Sequence, residues 1–173
     1  IPPKYRNFEK TIVSFACRQI DGIIEPITDA NIYCYLPTKA DFGFKFLINV
    51  DMVPTGPRDD IEDIKLNHEI AKIAGRQFFY WIKDLVVSKE YDLDSIFKLI
   101  PDFADCIIRK AGYKTFIEEF RDEFEGLIKS EPFVPCINRN GELVEATIYD
   151  VINDETRISV EGFLSETEFI EQS

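Results

Sequence analysis

The chain contains a single histidine, His68, so a Ser-His-Asp or Cys-His nucleophile, or a histidine-rich metal centre, would depend on that residue alone. It falls within a predicted helix, where a polar histidine on an exposed turn is the simpler reading. The carboxylates of Asp59, Asp60, Glu62 and Asp63 have the chemistry to hold a cation, but no glycine-containing calcium loop with twelve-residue ligand spacing surrounds them. A solvated helix start accounts for them better. The eight glycines are dispersed and build neither G-x-x-x-x-G-K-[ST] nor G-x-G-x-x-G, the loops whose amides cradle phosphates, so no cofactor site of the chain's own is expected. What remains is Arg58, which follows the stiff loop Pro54-Thr55-Gly56-Pro57, between a predicted strand end and a long helix. Two readings stand: a surface arginine paired with Asp59, Asp60 or Glu62, or a guanidinium aimed at a phosphate carried by another domain, as an arginine finger is.

Charge and composition narrow the partners. A net charge of -12 repels phosphate backbones, and the basic residues are scattered among acids, so nucleic acid is not expected as a direct partner. No run of eighteen apolar residues is present to span a bilayer, and Ile-Pro-Pro-Lys at the start has neither region of a signal peptide. With no initiator methionine, the chain is expected to begin inside something longer. Cys17, Cys34, Cys106 and Cys136 lack metal-cluster spacing and stand among apolar neighbours, which reads as reduced core thiols of a cytoplasmic protein. At 45% apolar and 13% aromatic composition the chain should fold, burying much of its aromatic surface within itself or against a neighbouring domain.

The elements that must hold Arg58 follow from periodicity. Apolar-rich runs over Thr11 to Ile20 and Ile23 to Ile27 flank Asp21-Gly22, a dipeptide that tolerates positive φ twice and so predicts a hairpin. Asn31 to Leu36 reads as a third strand, interrupted by Pro37; Thr38 to Phe44 reads as a polar connection. Lys45 to Val53 resumes as a strand with Phe46, Ile48 and Val50 on one face. After Arg58-Asp59-Asp60 the period becomes 3.6, with Ile70, Ile73, Ala74, Phe78, Trp81, Ile82 and Leu85 as the inner stripe of a long helix whose preceding acids suit its N-terminal end. Shorter helices follow over Asp94 to Leu99 and Asp102 to Lys110, divided by Pro101, and Gly112 punctuates the chain. The helix from Thr115, with Glu118 at capping-box spacing, turns Phe116, Ile117, Phe120, Phe124, Leu127 and Ile128 inward. Pro132 to Ile137, a turn at Asn140-Gly141 and Leu143 to Ile148 form a second hairpin, and the tail from Asn153 is acidic and weakly patterned. Strands, then helices, then strands predict an α+β fold, with a mixed or antiparallel sheet and long helix over 1–88 and a helical stretch plus C-terminal hairpin over 89–173.

Tyr33-Cys34-Tyr35-Leu36-Pro37-Thr38, the pair Gly43-Phe44, Phe46-Leu47-Ile48-Asn49-Val50-Asp51 and Arg58-Asp59-Asp60-Ile61 resemble a stretch of sacsin-like ATPases, which are of the heat-shock-chaperone type. Glu131-Pro132-Phe133-Val134-Pro135 and Asn140-Gly141-Glu142-Leu143-Val144 are similar to a hairpin downstream in the same family, so the resemblance covers roughly residues 12 to 145. Pro57 stands where the family often has Ser, and Met52 where Phe is usual. The resemblance implies a transducer-like segment following an N-terminal ATP-binding domain, which would be its partner in the same chain, with protein clients as further partners. ATP and magnesium would then belong to the full-length protein, and Arg58 would carry the catalytic role of contacting the γ-phosphate from the adjoining domain. A non-catalytic interaction scaffold, presenting the Phe-rich helices to a partner, is the alternative.

Overall fold

The computed structural model of the chain describes residues 10–109, 114–138, 140–147, 151–153 and 168–170. The fold is α+β, as expected. Asp21 and Gly22 both take positive φ, 51° and 81°, and turn the chain between β2 (Arg18–Ile20) and β3 (Ile23–Glu25). The run before this turn is not one strand. It breaks at Cys17, so that β1 (Val13–Ala16) leaves the hairpin and pairs antiparallel with β6 (Leu47–Val50). β4 (Asn31–Cys34) lies parallel to β6 on its other side, and with β5 (Leu36–Asp41) the four-stranded mixed sheet runs β1-β6-β4-β5.

β5 corrects the sequence reading. Leu36–Asp41, expected to include an interruption and a polar connection, is a strand paired antiparallel to β4. Pro37 is tolerated because β5 is the sheet's edge, where a missing N–H costs no ladder bond. The supposed connection is also core: Ala40, Phe42, Phe44, Phe46, Ile48, Val50 and Met52 are all buried, so one extended face runs inward from β5 through β6.

Against this face lies α1 (Lys65–Ser88), which buries Asn67, Ile70, Ala71, Ala74, Gly75, Phe78, Phe79, Ile82 and Val86. The stripe is displaced from the expected one: Ile73 is exposed, and Trp81 and Leu85 are half-buried at its flank. No acid lies in the first turn and no side chain caps it; the acids stay in the preceding loop. α2 (Leu93–Phe97) is capped by Asp92, whose side chain accepts from Ser95 N, and α3 (Phe103–Arg109) follows Pro101. α4 (Lys114–Ser130) starts one residue before Thr115, which is therefore helical and not the cap, and it buries Phe116, Ile117, Phe120, Phe124 and Ile128. Lys110 and Gly112 lie outside the described residues.

α1 and α4 approach closely because α1 presents Gly75: a Cβ there would stand 2.1 Å from the Phe120 carbonyl oxygen. The rings close the core between sheet and helices. Phe46 stacks on Phe44 and Phe78 at 5.1 and 4.4 Å between centroids, Phe78 meets Phe124 at 5.1 Å, and Phe15 stacks on Trp81 at 5.3 Å. Burying each such ring contributes about 1.5–3 kcal/mol.

β7 (Val134–Ile137) and β8 (Leu143–Ala146) form the expected hairpin; Ile148 lies outside the described residues. The tail holds strand structure that the sequence did not signal: β10 (Glu168–Ile170) pairs with β7 and, in parallel, with β9 (Val151–Asn153). Among the described residues no helix is long and apolar enough to cross a membrane.

Candidate functional site: the Arg58 loop

The chain leaves β6 at Val50 and enters α1 at Lys65, and between them Val53 to Glu62 form a narrow hairpin-like loop. Its base is closed by a hydrogen bond from Glu62 N to Val53 O (3.0 Å) and by a bridge between Pro54 and Ile61. One step outward, Thr55 N donates to Asp60 O (2.8 Å), Asp60 N donates to Thr55 Oγ1 (3.1 Å), and Thr55 Oγ1 donates to Asp60 O (3.2 Å). Gly56 and Pro57 occupy the tip, and Arg58 N donates back to Thr55 O.

Arg58 takes φ 59°, a left-handed conformation that an L side chain adopts at a cost. This turns its side chain back over the sheet edge. Nη2 donates to the carbonyls of Cys34 (2.7 Å) and Leu36 (2.9 Å), bracketing Tyr35, itself at φ 62°. Arg58 Nε is buried and has no hydrogen-bond partner. The expected surface pairing does not form: none of Asp59, Asp60 and Glu62 neutralises Arg58, and Asp59 pairs instead with Lys39. Arg58 is thus a cation held by neutral oxygens, with its charge uncompensated by any direct carboxylate contact among the described residues.

The motif residues around it have structural tasks. Asn49 Oδ1 accepts from Tyr35 N (3.0 Å), and Asp51 Oδ2 accepts from Ile12 N (2.9 Å). A hydrogen bond from the Tyr35 hydroxyl to Asp51, with the carboxylate's charge, raises the Tyr35 pKa. Cys34 is no nucleophile at neutral pH, since burial pushes its thiol up to about 11 against a smaller opposing pull from Arg58. Cys17, Cys34, Cys106 and Cys136 form no disulfide with one another.

Asn67 escaped the sequence reading. It is 1% exposed on the inner stripe of α1, and its amide reaches both ends of the loop: Oδ1 accepts from Val53 N (2.9 Å), while Nδ2 donates to Val53 O (2.9 Å) and Glu62 O (2.7 Å). The available signal was a carboxamide on the apolar face of a helix, which is stable only where its polar atoms are met.

His68 also departs from expectation. Its side chain is 17% exposed, and it bridges Asp63 Oδ1 through Nε2 (2.6 Å) and Glu119 Oε2 through Nδ1 (2.8 Å), linking the end of the loop to α4. Burial opposes the imidazolium, but hydrogen bonds and charge from Asp63 and Glu119 together outweigh it and raise the pKa above the usual histidine value. The two carboxylates sit on opposite ring nitrogens, so the trio does not converge on one ion. Among the described residues no group of three or more His, Cys, Asp or Glu is arranged to hold a metal ion.

Comparison with known protein families, curated proteins and solved structures finds no match for this chain.

Proposed function

We propose that this chain is the transducer-like, coupling segment of a larger sacsin-like ATPase, in which Arg58 senses the γ-phosphate of a nucleotide held by an N-terminal domain of the same chain. The observation that carries this reading is the state of the guanidinium. Arg58 sits on a loop closed by two tiers of hydrogen bonds, its Nη2 rests on two carbonyls, and among the described residues no carboxylate is in direct contact with it. A cation so placed keeps its affinity for an anion, and exchanging two neutral acceptors for a phosphate strengthens each hydrogen bond.

ATP and magnesium would supply the phosphoryl group and its charge neutralisation, held by the other domain. This chain would contribute one arginine, a stiff loop, and a sheet and helix rigid enough to carry a displacement of that loop onward. A cytoplasmic location accords with four cysteines that form no disulfide with one another. The rival reading, a non-catalytic scaffold that binds a partner through an exposed aromatic surface, would have to use residues such as Tyr35 and Tyr80, because every described phenylalanine from Phe15 to Phe133 is buried or half-buried.

In the full-length protein, Arg58→Ala should lower ATP turnover by ~10²- to 10³-fold while ATP binding changes little, the pattern of a contact made to transition-state charge. Unchanged turnover removes Arg58 from the chemistry and the coupling reading with it.

A further inference from the structure

We infer that Asn67 is the positioning residue of this site, a bracket on α1 that sets where Arg58 can reach; the inference rests on the reading of Arg58 given above. Asn67 is one of three buried polar residues in the core among those described, alongside Thr38 and Ser95. The hydrophobic contacts of α1 do not require an amide there, since an apolar side chain would fill the same stripe without the desolvation cost. The loop does require one. Val53 and Glu62 are its two ends, and the Asn67 amide engages Val53 N, Val53 O and Glu62 O at 2.7 to 2.9 Å. The Thr55–Asp60 bonds stiffen the loop internally but tie it to nothing, and Lys39 N and the Arg58 guanidinium tie its tip to the sheet edge. Asn67 fastens both ends of the base to a long helix, whereas His68 of the same helix reaches the loop only at Asp63, just beyond one end. When Arg58 leaves the carbonyls of Cys34 and Leu36 for a phosphate, the Asn67 bonds are those that persist, so they act as the pivot. Asn67 touches no phosphate itself and is not a catalytic residue.

Asn67→Asp tests this with little change of shape. It keeps an acceptor for Val53 N, deletes both donations, and sets a carboxylate against two carbonyl oxygens. In the full-length protein, amide hydrogen exchange over residues 53–62 should accelerate at least ~10-fold with 70–86 unchanged. Turnover should fall at least ~10-fold with KM for ATP within ~2-fold, because a displaced arginine costs transition-state and not ground-state interaction. Adding Arg58→Ala to Asn67→Asp should lower turnover no further than Arg58→Ala does alone. Unaltered exchange in the loop, or a loosened loop with undiminished turnover while Arg58→Ala is impaired, overturns the inference. An unimpaired Arg58→Ala enzyme overturns the phosphate reading instead, and exchange alone then decides whether Asn67 holds the loop. Should Asn67→Asp fail to fold, the unmodified protein decides: both Nδ2 protons of Asn67 and the Val53 amide must be protected like the amides of α1, and a freely exchanging side-chain amide refutes the bracket.

Discussion

Gly75→Ala would force apart the two helices that back the sheet. The new Cβ would lie 2.1 Å from the carbonyl oxygen of Phe120, 2.9 Å from its carbonyl carbon and 3.0 Å from its Cα. No side chain can rotate away, because all three atoms are backbone, so α1 and α4 must shift apart until the 2.1 Å approach opens to at least 3.4 Å, the start of ordinary contact. That opens the layer holding Phe78, Phe120 and Phe124. Overpacking of this kind costs about 1–3 kcal/mol, and a rigid backbone obstacle puts it at the top of that range. Alanine returns about 1 kcal/mol through its better helix propensity, leaving a net loss of about 2 kcal/mol. At about 2–4 °C per kcal/mol for a chain of this size, the melting midpoint should drop by about 4–8 °C. Thermal melting reads the midpoint, and urea titration followed by circular dichroism, with the slope unchanged, reads the free energy. Gly126→Ala supplies the control: it lies exposed on α4 with nothing within 4 Å of its added Cβ, and should stabilise by about 0.5–1 kcal/mol. If Gly75→Ala matched Gly126→Ala, the close approach of the helices would be refuted.

Two further outcomes are expected. Because the His68 pKa is raised in the folded state, its contribution is complete below the unfolded value of about 6.5 and is lost as pH rises through the folded value. Unfolding free energies of the parent protein and His68→Gln, measured from pH 5.5 to 9, should therefore converge toward the alkaline end, and a gap that widens there would contradict the bridge to Asp63 and Glu119. Iodoacetamide at pH 7.5 should modify Cys34 only after denaturation, since its thiol is buried with a pKa of about 11; mass spectrometry of the native, treated protein would reveal any early labelling.

The parts of the fold written in local periodicity were legible. α1 and α4 show a 3.6-residue stripe long enough to outvote a single misplaced residue such as Ile73, and Asp21-Gly22 and Asn140-Gly141 announce their turns by backbone chemistry. β5 was not legible, because proline forbids a strand only where its N–H is needed, and whether β5 lies at an edge is decided by the assembled sheet. The alternation of Phe42, Phe44 and Phe46 did carry the signal, obscured by the intervening Gly43 and Lys45. β9 and β10 are three residues each and exist through their partners, which no local pattern encodes. For the site, the sequence singled out Arg58 but not what it touches. Its acceptors are backbone carbonyls more than twenty residues away, available because Tyr35 adopts a positive φ. Asn67 was not singled out at all, because only the register of α1 in the assembled fold turns its amide inward.

The way the loop rests on the sheet has a bearing on solubility. An edge strand ordinarily offers unpaired N–H groups on which a second chain can zip up. On β5, Pro37 has no N–H to offer, and the N–H of Lys39 is taken by the carbonyl of Arg58. The loop therefore serves as a lid on a sticky margin. Any movement that carries Arg58 away leaves Lys39 N–H without its acceptor, so each excursion briefly uncovers a site for intermolecular strand pairing, and the edge stays guarded only while the loop is at rest.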